Sequence, residues 1–181
     1  MRAFGGVVQA IENARLLLVG DGPLKADLQE LIKDLRISEV VQFTGLIPYD
    51  KMPGYLAMCD AFVTASVTEV HPLSVIEAMG AGLPVMGIHS PGVGDTVEDG
   101  ITGFLSTEDQ PAFSAKLTRL CLDKQLRQNM GYAARKASQK YDIELTTRLM
   151  LEQYEKLASG PRPPKLDWED RLLAILERFR V

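Results

Sequence analysis

The sequence predicts an α/β domain, a doubly wound parallel sheet with helices on both of its faces. Two observations predict it. Short apolar runs alternate with amphipathic stretches from residue 15 to residue 157, which is the order of strand–helix–strand units. Those apolar runs are continuous rather than alternating with polar residues, as expected of strands buried on both faces. A chain of 181 residues is long enough to bury a core of its own.

The elements follow in order. RLLLV at 15–19 reads as a buried strand, and GDGP at 20–23 as a turn that hands over to a helix. Pro23 suits the first helical position, where its missing N–H costs nothing. Leu24, Leu28, Leu31, Ile32 and Leu35 then recur at helical spacing. Residues 40–43 form the next expected strand, ending at Thr44 and Gly45, and a short helix at 49–59 leads to a strand at 61–65. A helix starts at Pro72, and strands follow at 84–88 and 100–105. From Pro111 the pattern is helical to Leu157. In such sheets a ligand sits outside the carboxyl ends of the strands. That singles out the loops at 20–23, 44–48, 66–72 and 89–95.

The composition changes after Leu157. Residues 1–157 read as the α/β domain and 158–166 as a proline-stiffened linker. Residues 167–181 read as a last amphipathic helix with Asp167 as N-cap and an apolar stripe of Trp168, Leu172, Ile175, Leu176 and Phe179. Glu169, Asp170 and Glu177 dilute its basic residues, which argues against a membrane-surface role.

Net charge is −4 with no run of Lys or Arg, so a duplex nucleic acid finds no basic footprint here. No apolar stretch approaches the roughly 20 residues that span a bilayer. The opening MRAFGGVVQA lacks the layout of a signal peptide. Cys59 and Cys121 lie apart in apolar surroundings and read as free thiols of a cytoplasmic protein. His71 and His89 have no partners at metal-ligand spacing, so no metal site is expected.

The informative segment is TEVHPLSVIEAMGAGLPV at 68–85. A strand ends just before it and a helix begins at Pro72. Unpaired N–H groups at a helix start, backed by the helix dipole, attract phosphate. Leu73, Ser74 and Val75 stand where such groups arise. Glu69 lies before this anion site and Glu77 beyond it. Two carboxylates make poor phosphate ligands, because like charges repel. They are good acceptors for the paired hydroxyls of sugars. A diphosphate with a sugar at each end satisfies both requirements, and a nucleotide sugar is such a molecule. A glutamate near a helix start is otherwise ordinary, so the inference rests on the whole string.

That string resembles the Glu-x7-Glu signature of glycosyltransferase family 4, retaining enzymes with the two-domain GT-B fold. Val70 stands for the usual Gly and Gly80 for the usual Ala. LLLVGDGP at 16–23, FTG at 43–45, SPGVG at 90–94 and EDGITGFL at 98–105 fall in the family's order around it. The resemblance implies a Rossmann-like nucleotide-sugar-binding domain and transfer of a hexose from a UDP- or GDP-sugar, with no cofactor. It implies that Glu69 touches the donor sugar and is critical for catalysis, and that Glu77 holds the ribose diol. The N–H groups at Leu73 and Ser74 would hold the diphosphate. Gly20, Asp21 and Gly22, with Leu46 and Ile47, would lie near the nucleoside, and Gly92, Val93 and Gly94 would line the donor pocket. Asp95 stands where many members have Glu.

The family also has an acceptor-binding domain and a Gly-Arg…Lys-Gly segment whose cations neutralise the diphosphate. The sequence contains neither; Lys25 and Lys51 read as solvated surface lysines. The resemblance therefore implies a chain truncated at its N-terminus, unable to catalyse alone, with an open sheet edge that favours self-association or is covered by residues 1–11 or the tail helix. In a complete enzyme this half would sit in the cytoplasm, peripheral to the inner membrane through its other half. A non-catalytic nucleotide-sugar or interaction module and a sugar-nucleotide epimerase domain are the alternative readings.

Overall fold

The computed structural model describes residues 1–160. They fall in two units, Met1–Tyr141 and the part of Asp142–Val181 that precedes residue 161. The expected last helix and most of the expected linker lie outside the described residues.

The first unit runs α1 (Arg2–Ala10), β1 (Leu16–Val19), α2 (Lys25–Asp34), β2 (Val41–Gly45), α3 (Met52–Ala57), β3 (Phe62–Val63), α4 (Leu73–Gly80), β4 (Val85–Ile88), α5 (Pro91–Thr96), β5 (Gly103–Ser106), α6 (Gln110–Leu122) and α7 (Lys124–Ser138). The fold is mixed α/β, and every pair of named strands is parallel. The hydrogen-bonded strands form two groups, β1 with β2 and β3–β4–β5. Leu16 faces Val41 in the first group; Val85 faces both Phe62 and Gly103 in the second. Among the described residues no ladder joins β1 to β3. One apolar cluster nevertheless spans both groups: Val41 and, half-buried, Leu16 and Leu18 pack with Met86 and Phe104, and with Phe4 and Val7 from α1.

Burial follows position. β5 is buried throughout and β4 almost so, whereas the leucines of β1 are only half-buried and Val63 of β3 is exposed. Two close approaches make the covered part possible. A Cβ on Gly103 would stand 2.0 Å from the Val85 carbonyl oxygen, and one on Gly131 would stand 2.2 Å from the Gly82 oxygen. The AGLPV sequence after α4 has a local reason. Gly82 adopts φ +84° and donates to Met79 O, while Leu83 donates to Ala78 O at 3.0 Å. This is a Schellman cap, and Pro84 beyond it cannot continue the helix.

Several expected boundaries shift. Pro23 lies in a turn, not at the first helical position: Lys25 N–H bonds Gly22 O and the helix starts at Lys25 after Leu24. The strand expected at 61–65 is only Phe62–Val63, because Ser66 N–H turns back to the Thr64 hydroxyl after Thr64 has bonded Met86 O. The long helical stretch breaks at Asp123 and Asp142, each of which caps the following helix with its side chain. In the second unit, α8 (Ile143–Ser159) runs two residues into the expected linker.

The strand contact at Gly103 and the cap at Asp123 set a scale for stability. Asp123→Ala should cost about 1 kcal/mol, the usual value for a lost N-cap. Gly103→Ala should cost about 1–3 kcal/mol through overpacking of the β4–β5 ladder. Urea unfolding of the two variants beside the parent measures both; a Gly103→Ala protein as stable as the parent would contradict the packing described.

Candidate functional site

The loops at the carboxyl ends of the strands meet through a short list of contacts. After β1, the Asp21 carboxylate accepts from Gly22 N–H (2.8 Å) and pairs with Lys25 Nζ (2.8 Å). The lysine holds the Asp21 carboxyl below its ordinary range, with the Gly22 N–H adding to the effect. Gly20, at φ +130°, donates to Gly45 O at 3.0 Å, which ties the β1 loop to the end of β2. Beyond Gly45 the chain passes Leu46, 81% exposed, and the half-buried Ile47, before a single 3-10 turn at Tyr49–Lys51.

Tyr49 then reaches across to α4. Its hydroxyl donates to Glu77 Oε1 at 2.5 Å, over 28 residues of sequence. The carboxylate raises the phenol pKa above its ordinary value, first through this hydrogen bond and then through its charge. No sequence pattern pointed to Tyr49, since the contact is long-range and its partner is defined only by the fold.

Like α1, α2, α3 and α5, α4 has no side-chain cap at its start, in contrast to α6, α7 and α8. Those three accept N–H groups on the side chains of Asp109, Asp123 and Asp142. Pro72, the N-cap of α4, offers no side-chain acceptor. Its carbonyl takes Val75 N–H (3.0 Å) and Ile76 N–H (3.1 Å). Val75, expected among the donors, is therefore already engaged. Among the described residues the N–H groups of Leu73 and Ser74 have no recorded partner, and both residues are exposed. Unpaired donors at the positive end of a helix are the elements of an anion site.

Glu69 lies in the loop between β3 and α4. Its backbone carbonyl accepts from Gly92 N–H at 3.0 Å, at the first turn of α5. A Cβ on Gly92 would stand 2.2 Å from that same oxygen, so this approach excludes a side chain. The Ser90 hydroxyl reaches Ser66 O at 3.4 Å and strengthens the same junction. The Glu69 side chain is exposed, with Ser66 Oγ 3.5 Å from Oε1, a contact at the outer limit of a hydrogen bond. Gly94 lies against His89, whose ring a Cβ there would meet at 3.5 Å. Val93 differs from its neighbours: its side chain is fully buried in a cluster with Val75, Met79 and Val85. It packs the core under the loop, and only its backbone remains for a ligand.

Lys25 is tied to Asp21, and Lys51 is an exposed lysine 3.7 Å from Asp50. No group of three or more His, Cys, Asp or Glu side chains is assembled among the described residues. No described helix is long and apolar enough to cross a membrane.

Comparisons with known proteins agree on this architecture. Residues 1–137 match the model of the family described as glycosyl transferases group 1. A sulfoquinovosyl transferase of Arabidopsis thaliana is 36% identical over 153 residues, covering 82% of this chain and 29% of its own. The N-acetyl-alpha-D-glucosaminyl L-malate synthase of Bacillus anthracis is 32% identical over 158 residues, covering 87% of this chain and 40% of its own. The chain thus spans less than half of either relative. Among solved structures, HepE of Anabaena in complex with UDP and glucose superposes with a TM-score of 0.76 at 24% identity, over 86% of this chain and 44% of that one. An α/β unit with a glutamate on either side of an uncapped helix start, matched by the family model over 137 residues, makes this chain a member of the glycosyl transferases group 1 family.

Proposed function

We propose that this chain is the donor-binding domain of a retaining, family 4 hexosyltransferase. The observation that carries the reading is the uncapped start of α4, with donors at Leu73 and Ser74 and the two glutamates on either side in sequence. In this reading those N–H groups take the diphosphate of a UDP- or GDP-hexose, helped by the helix dipole. Glu77 accepts the hydroxyls of the ribose, and Glu69 those of the transferred hexose. The loops at Gly20–Gly22 and Leu46–Ile47 border the nucleoside, and the α5 turn at Gly92–Gly94 closes the donor end. The solved relatives held with UDP support a uridine nucleotide as the first probe.

Chemically, such a site binds and orients the donor; it does not by itself make the diphosphate a good leaving group. Departure of the diphosphate builds negative charge that positioned cations stabilise. The sequence contains no Gly-Arg…Lys-Gly segment, and Lys25 is engaged by Asp21. We infer that transfer requires cations and an acceptor domain beyond this chain, in a cytoplasmic enzyme. The edges of β1 and β3 that no described strand covers support self-association of the isolated chain.

Calorimetric titration with UDP-glucose and GDP-mannose tests the reading. One of the two should bind weakly, and Glu77→Ala should weaken that binding about tenfold, the loss of a charge-assisted hydrogen-bonded pair. The hexose should remain on the nucleotide throughout; its transfer to any acceptor by the purified chain would contradict the need for further cations. Sedimentation of the same sample should give a mass above that of one chain, and a clean monomer would count against association through the open edges.

A further inference from the structure

The Tyr49–Glu77 contact has a role that the carboxylate alone does not explain. Glu77 lies on α4, which joins β3 to β4 of the three-stranded group, whereas Tyr49 follows β2 of the two-stranded group. The bond between them therefore links the two sets of strands, beside the β2 loop where the nucleoside is proposed to lie. Among the described residues it is the only side-chain hydrogen bond of either residue, and no other aromatic ring packs on Tyr49, which is 75% exposed. Without Tyr49, the Glu77 side chain would be free to rotate into solvent from the second turn of its helix.

We propose that Tyr49 is a positioning residue for the nucleotide: its phenol O–H holds the Glu77 carboxylate in the orientation that receives the ribose diol. The inference rests on the assignment of Glu77 to the ribose. A carboxylate has about four acceptor positions, so one phenol and two sugar hydroxyls can share it. The phenol is suited to the task because its ring has few rotamers to lose and its O–H binds a charged acceptor, the stronger kind of hydrogen bond. A phenol with its pKa raised by the carboxylate also keeps its proton throughout the neutral range. Fixing the acceptor before the ligand arrives lowers the ordering cost of binding.

The test compares UDP with 2′-deoxy-UDP on four proteins: the parent chain, Tyr49→Phe, Glu77→Ala and the double variant. Because Tyr49 is exposed, Tyr49→Phe should melt with the parent. It should bind UDP about fivefold more weakly, in line with the loss of one hydrogen bond. The loss should be smaller for 2′-deoxy-UDP and absent on the Glu77→Ala background. If the parent separates UDP from 2′-deoxy-UDP while Tyr49→Phe binds UDP as tightly as the parent or more tightly, Tyr49 does not position Glu77 and the ribose assignment stands. If the parent binds the two nucleotides equally, the ribose assignment fails and this inference falls with it. A ligand-free measurement checks the contact itself: in alkaline titration followed by absorbance, the Tyr49 phenol should ionise later than in Glu77→Gln. Identical titration of the two proteins would overturn the proposal.

Discussion

The hydrogen bond from Gly92 N–H to the Glu69 carbonyl is the constraint on which the site depends. It joins the loop after β3 to the first turn of α5, at a separation that leaves no room for a Cβ at residue 92. The backbone on which Glu69 stands is thereby fixed to the end of β4, because α5 begins three residues after β4 finishes. The side chain of Val93, beneath that turn, packs with Val75 and Met79 of α4 and so sets one helix against the other. The acidic loop and the two helix starts are consequently held by one piece of core. Their spacing follows from packing and from one glycine, not from charge.

A second constraint acts on the other side of α4. There Gly20 N–H bonds Gly45 O, and farther along the β2 loop Tyr49 bonds Glu77. This side is less tightly built: β1 is half-buried, Leu46 and Tyr49 are exposed, and no described ladder links β1 with β3. The buried strands β4 and β5 are therefore the firmer part of the fold, and the β1–β2 group is the more open part. Such a division suits a pocket that holds phosphate firmly at one wall and receives a nucleoside along the other.

Most of the strand–helix order was legible in the sequence, because continuous apolar runs and helical spacing are local signals. The PV at 84–85 was legible as the start of a strand, and the structure adds the cap at Gly82 that makes the turn. Boundaries set by a single side chain were not legible: the turn of Ser66 onto Thr64 and the caps at Asp123 and Asp142. Nor was the start of α2, which a backbone turn from Gly22 to Lys25 displaces past Pro23. The proposed donor contacts Glu69, Glu77, Leu73 and Ser74 all come from one contiguous string. Val75 could not be excluded from the donor set without knowing that Pro72 O takes its N–H, and the burial of Val93 needed the neighbouring helix. Tyr49 was invisible, since a partner 28 residues away leaves no periodicity. Local chemistry is written in sequence; contacts between distant loops are not.

The diphosphate of a sugar nucleotide is proposed to sit on the start of α4, between two glutamates. A crystal structure of the chain soaked with UDP decides whether it does. Phosphate oxygens should lie within hydrogen-bond distance of the Leu73 and Ser74 N–H groups, with the ribose hydroxyls on Glu77. A nucleotide bound in good density elsewhere on the chain, with those N–H groups still facing solvent, would contradict it.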